Sequence, residues 1–252
     1  MKRNQVGIYL YCALILSSCA IQKVQRPLSI HEMVVQDESQ MEGVRELLKK
    51  HANKSVDDEW IEYLQKIAQE LVNQSSELRG FDVHVYIGEL RGVKGLNRTL
   101  PGIDIYLDPR LLKGIEFENE LAALVALELG HLIQRHAVQK LSEAVPGEFS
   151  SLNFEDKKKL LYGEDSLFIF DVNQMKRSIR SAVKLLYQRQ YDVRGLDIVI
   201  RRFVDQGAHR LFRTRDRERL VDEVHRSISK FPPLRHPIVQ TERFKKIKNR
   251  IK

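Results

Sequence analysis

The sequence predicts an α+β fold, mainly helical, with a small mixed sheet beside one buried helix. Three observations carry this expectation. Trp60, Ile61, Leu64, Ile67, Ala68, Leu71 and Val72 recur at helical spacing, as one buried stripe of an amphipathic helix does. Phe81, Val83, Val85 and Ile87 alternate with Asp82, His84 and Tyr86, and Ile103, Ile105 and Leu107 share a second alternating face, which is the period of half-buried strands. From Glu116 to about Leu141 runs the strongest helical stretch, and its middle, Leu121 to Leu132, is apolar on nearly all sides and so is expected in the interior.

The chain has 252 residues, 42% hydrophobic and 30% charged, which is enough to bury a core and argues against wholesale disorder. Its only cysteines, Cys12 and Cys19, lie in the first twenty residues, which excludes a disulfide scaffold, a Cys-ligated zinc finger or a cysteine nucleophile in the folded body. Lys2 and Arg3 precede an apolar run from Val6 to Leu16 that is short for a membrane span and fits an export signal. Leu16-Ser17-Ser18-Cys19 resembles the bacterial lipobox, which implies cleavage before Cys19 and acylation of it. Residues 1–18 are then a lipoprotein signal peptide, 19–54 a lipidated tether with an N-terminal helix over 38–53, and 55–252 the folded domain. Ala20 after the cysteine favours the outer membrane, facing the periplasm. Loss of Lys2 and Arg3 lowers the formal charge from +8 to +6. Nucleic acid is not an expected partner, because the export signal points away from it.

Ser55 can cap the first helix of the domain, with Asp57 and Asp58 in its first turn. Gly80 ends that element. Pro101-Gly102 introduces the second strand, and breakers at Pro146, Gly147 and Gly163 interrupt residues 143–170, where a helix covers part of 153–162. A long helix follows from about Gln174 through Asp192, with continuation past Gly195 to Val204 left open. Residues 214–229 form a charged helix, Pro232-Pro233 breaks it, and a basic helix from about 238 closes the chain.

The chemistry centres on Leu127-Glu128-Leu129-Gly130-His131. In an HExxH zinc site two histidines four apart share a helix face, and the Glu after the first acts as general base on metal-bound water. Glu118-Asn119-Glu120-Leu121-Ala122-Ala123 leads into the motif, and His131-Leu132-Ile133-Gln134-Arg135-His136 leads out. Upstream stand Asn97 and Pro101-Gly102-Ile103-Asp104-Ile105-Tyr106-Leu107; downstream, Gln188-Arg189-Gln190-Tyr191-Asp192 with Gly195, then His236-Pro237 and Arg243. Together these resemble the family-48 zinc metallopeptidases, the HtpX-, Oma- and BepA-like gluzincins, over roughly residues 55 to 250.

The resemblance implies a gluzincin metallopeptidase-like domain in which residue 127 and His131 are zinc ligands, Glu128 the general base, residue 188 the third ligand and Asp192 a support of the ligand shell. It also places the strand at 102–107 on a sheet edge, where Gly102, Ile103 and Asp104, with His236, line a cleft for extended peptide. The sequence departs from the pattern at two ligands: Leu127 has no donor atom and Gln188 offers only a neutral amide. A remaining single His does not hold zinc at structural strength, so no cofactor is expected. His136, five residues after His131, sits about 140° round a continuous helix and off its face.

The expected function is therefore a catalytically impaired pseudopeptidase that binds peptides or envelope proteins at the outer membrane. The alternatives are an active zinc metalloendopeptidase with an atypical metal site, and a structural envelope lipoprotein. Two readings stand for individual residues: Glu128 is a vestigial base or the partner of a nearby cation, His131 a ligand remnant or a hydrogen-bonded core histidine, and His236 a cleft residue or a turn cap.

Overall fold

The computed structural model describes residues 58–87, 97–100, 104–144, 152–162, 169–203 and 214–249. The signal, the tether with Cys19, the helix expected over 38–53, Gly102 and Ile103 lie outside them, as do residues 145–151 and 163–168. The described chain is α+β and mainly helical: α1 (Asp58–Gln74), β1 (His84–Ile87), β2 (Asn97–Leu100), β3 (Asp104–Leu107), α2 (Pro109–Gly114), α3 (Glu118–Ile133), α4 (His136–Ala144), α5 (Phe154–Tyr162), α6 (Val172–Gln188), α7 (Arg194–Phe203), α8 (Thr214–Ile228) and α9 (Glu242–Lys248). None of these helices is long and apolar enough to cross a membrane.

The apolar stripe of α1 is buried, with Leu64, Ala68, Leu71 and Val72 fully enclosed. Trp60 and Tyr63 close this face against Phe244 of α9, in an edge-on contact of Trp60 and a tilted one of Tyr63. These rings add aromatic geometry to the area they remove from water. Gln65 and Gln69 of α1 accept hydrogen bonds from Val85 N and Val83 N, which fixes β1 alongside the helix.

The sheet is three-stranded and mixed, in the order β1-β3-β2. β1 runs parallel to β3, pairing Val85 with Ile105, and β2 runs antiparallel to it, pairing Thr99 with Ile105. The strand expected at the edge is thus the middle one. Asp104–Leu107 is hydrogen-bonded on both sides and buried at every position, so its edge is not open to a peptide. The physical reason is β2: Asn97–Leu100 folds back and takes that position.

α3 is the centre of the domain, buried from Glu118 to His131. It packs along α6 and against α7, α1 and the sheet. Two glycines let neighbouring backbones approach. A Cβ on Gly130 would lie 2.5 Å from both Ser178 O and Ser178 Oγ, and one on Gly195 would lie 2.6 Å from Asn119 O. α3 and α6 therefore run antiparallel, with Gly130 level with Ser178 and Asn119 level with the start of α7.

The single helix expected to Leu141 is broken. α3 ends at Ile133, Arg135 takes a left-handed φ of 54°, and α4 begins at His136. Likewise the helix expected through Asp192 ends at Gln188. Gln190 has φ 66°, and Tyr191 makes an isolated parallel bridge to Ile238 before α7 starts. The closing helix starts at Glu242 rather than near 238, because Ile238 is held in that bridge and Thr241 Oγ1 caps the helix by accepting from Phe244 N.

Candidate functional site

Glu128 and His131 lie one turn apart on α3, each 3% exposed, and Leu127 beside them is 5% exposed. Leu127 contributes hydrocarbon to the core cluster, and its carbonyl accepts a 2.5 Å bond from Ser178 Oγ. Glu128 has interaction partners within the fold.

The break at Arg135 places His136 differently from the expectation. The turn brings His136, fully buried, under His131, with Nδ1 to Nδ1 at 2.9 Å. Phe170 stacks on the His131 ring at 4.0 Å between centroids. Arg177 Nε donates to His136 Nε2 at 3.3 Å. Burial, followed by the charge of His136, holds His131 well below the usual imidazole range. Burial and then the Arg177 cation bring His136 down to about 4. Both rings are thus neutral at pH 7.

The protons can be assigned from this network. A guanidinium only donates, so His136 Nε2 accepts, and neutral His136 carries its proton on Nδ1. That proton is donated to His131 Nδ1, so His131 holds its own proton on Nε2. Neither nitrogen of His131 then has a lone pair to offer a metal.

Gln188 does not join this group. It is exposed, at the last turn of α6. Ser178, at the level of His131, precedes it by ten residues, about 15 Å along the helix. Asp192 is 7% exposed and is matched by Arg194, whose Nη2 approaches Oδ2 to 2.5 Å. Its hydrogen bonds from Arg194 hold its carboxyl below the usual range. Its backbone joins three elements: the carbonyl accepts from Asn119 Nδ2 at 3.0 Å, and the N–H donates to Ile238 O at 2.9 Å. Asp192 thus orients the α6–α7 link and α3 through backbone bonds and Arg194, not through a histidine.

His236 is exposed. The segment after it does structural work at the start of α3. Phe117, the N-cap residue, provides no side-chain cap. Asn119 N instead donates to Val239 O, and Glu118 accepts from Thr241 N at 2.6 Å and from the Tyr191 hydroxyl at 3.3 Å. These bonds satisfy first-turn groups of α3, and the two buried acids of that turn, Glu118 and Glu120, suit the positive end of the helix dipole. Glu120 is paired with Arg202 of α7 at 2.9 Å. Asp104 is fully buried at the head of the middle strand and has partners there.

Zinc, which the resemblance implies, does not fit these side chains. Leu127 has no donor, Gln188 lies at another level and faces solvent, and His131 has committed both nitrogens. Among the described residues no three His, Cys, Asp or Glu side chains converge as a metal-holding group. The sequence placed His136 off the face of His131 and did not mark Arg177 or Phe170, because no local signal announces the turn: neither Gly nor Pro stands at 134 or 135. No family model matches the chain, and no curated protein matches it.

Proposed function

We propose that the chain is a lipid-anchored protein of the bacterial cell envelope, similar to family-48 metallopeptidases, that holds extended segments of unfolded or envelope proteins without cleaving them. The lipobox-like Leu16–Cys19 supports the anchor and the outer-membrane location. The motif series from Asn97 to Arg243 supports the family resemblance and its gluzincin fold. One observation carries the loss of catalysis: the His131–His136 bond occupies the ring that would have to face a metal. Without a metal to acidify water and polarise the carbonyl, Glu128 has no hydroxide to generate.

The peptide-binding edge moves with the correction above. β2 ends the strand order on the side next to β3 and lies against α3, so an extended segment would add to its outer side.

The test combines metal analysis of the purified protein, digestion of unfolded casein, and a photocrosslinking residue at Thr99. Substoichiometric zinc, no Glu128-dependent cleavage and capture of casein at Thr99 are the expected results. Stoichiometric zinc with cleavage abolished by Glu128→Gln establishes the active endopeptidase instead. Failure of Thr99 to capture peptide leaves a structural lipoprotein. A second expectation concerns repair: Leu127→His with Gln188→Glu does not restore zinc binding, because residue 188 sits about 15 Å from the level of His131 along α6. Isothermal titration with zinc reads this directly, and a tight one-to-one isotherm contradicts it.

A further inference from the structure

Among the described residues, two large hydrophobic side chains are exposed: Phe117 at 40% and Val239 at 37%. They are 122 positions apart in sequence yet adjacent in the fold, because Val239 O accepts from Asn119 N, two residues after Phe117. Beside them stands α9. Its Phe244 and Ile247 are buried, which turns the rest of the helix outward.

That outward side is basic. Lys245 and Lys246 are exposed, Arg243 is exposed with its guanidinium over the Tyr63 ring, and Lys248 Nζ reaches Glu116 O at 3.0 Å, next to Phe117. Two exposed acids lie in the area, Glu242, paired with Lys245 at 2.6 Å, and Glu116, 3.5 Å from Arg202. Four cations of α9 thus outnumber its one acid, and the apolar pair sits at their border.

We infer that this face, Phe117 and Val239 with the basic side of α9, docks on an anionic phospholipid surface. Lysine and arginine are drawn to anionic headgroups, and the apolar side chains enter the boundary beneath them. The combination favours a bilayer over nucleic acid, whose phosphates would engage the cations and leave Phe117 and Val239 in water. The inference stands apart from the peptide-binding reading and from acylation of Cys19, since it uses only this face.

The test uses the full chain with Cys12→Ser and Cys19→Ser, and an environment-sensitive fluorophore on Val239→Cys. Vesicles of phosphatidylcholine alone are compared with vesicles of phosphatidylcholine and phosphatidylglycerol at three to one. The N-terminal run carries Lys2 and Arg3 and also favours phosphatidylglycerol, so the face is read by the label at Val239 and by the variant at Lys245 and Lys246. The expected result is a blue shift and quenching by brominated lipid only with phosphatidylglycerol, reversed by high salt. Lys245→Glu with Lys246→Glu weakens that response on the order of tenfold. An equal response to both vesicle types, a response retained in the double variant, or a shift produced by an oligonucleotide with vesicles inert overturns the inference. The folded state of each variant is checked through its urea midpoint.

Discussion

Gly130→Ala lowers the stability of the protein by about 3 kcal/mol. The new Cβ would stand 2.5 Å from the carbonyl oxygen and the hydroxyl of Ser178, and 3.0 Å from its carbonyl carbon. A flexible side chain could step aside, but the Ser178 carbonyl is part of α6. Relief requires the helices to separate, which also stretches the 2.5 Å bond from Ser178 Oγ to Leu127 O. The urea midpoint falls with unchanged slope, and the melting temperature drops by about 6–12 °C. Ser178→Gly in the same background recovers only part of the loss, because the carbonyl remains. Gly80→Ala provides the contrast. Its Cβ would meet nothing within 4 Å, and the cost there, about 1 kcal/mol, arises from the left-handed φ of 93° alone. A Gly130→Ala protein as stable as the parent would show that α3 and α6 are not in this close contact.

Acid destabilises the protein earlier than its carboxylates alone would. His136 is held neutral down to about 4, against an ordinary value of 6.5. Below pH 6.5 the unfolded chain takes up a proton there that the folded one refuses. Stability is therefore full above about pH 6.5 and is lost as the pH falls toward 4, by about 3 kcal/mol through His136 alone. His131, also held down, acts in the same direction. Burial sets the sign for both rings, and the facing charges add to it at His136. Arg177 opposes a charge on His136, and Asp171, which favours it, is the weaker influence. Glu77, Asp192 and Glu223, whose carboxyls are held below their ordinary range, contribute only below about pH 4.5.

His136→Gln separates the histidines from the acids. Its amide can still donate to His131 Nδ1 and accept from Arg177, but it binds no proton. One fewer proton is taken up on unfolding, so the slope of stability against pH between 4.5 and 6 falls by up to about 1.4 kcal/mol per unit. Urea unfolding across that range measures it. An unchanged slope would show that the pair is not neutral in the fold.

What the sequence made legible follows from where the physics is local. The stripe of α1 and the all-round apolarity of Leu121 to Leu132 are periodic facts, and both elements form where the periods lie. β1 alternates and is a strand. The misreadings fall where a long-range bond overrides local preference. Arg135 and Gln190 hold left-handed backbones without glycine, at a cost of about 1–2 kcal/mol each. The turn at Arg135 is held by His131, His136, Phe170 and Arg177, which only tertiary structure assembles. Tyr191 leaves helical geometry for a bridge to Ile238, nearly fifty residues on.

The candidate site divides in the same way. That residue 127 is a leucine and residue 188 a glutamine is visible in the sequence, and so is the missing donor chemistry. That Gln188 faces solvent depends on where α6 meets α3, and that His131 has no lone pair left depends on the turn after it. β2 escaped notice because Asn97-Arg98-Thr99-Leu100 has no apolar alternation; its pairing with β3 defines it.

The bonds at the start of α3 order events in time. Glu118 receives its backbone partner from Thr241, 123 residues later. At about 5–20 residues per second, the central helix is made roughly 6–25 s before the segment that completes its first turn. During that interval the buried acids Glu118 and Glu120 and the frame around Asn119 lack their final partners. The domain therefore closes from its last residues inward, and a chain released before residue 239 keeps its central helix unfinished at the amino end.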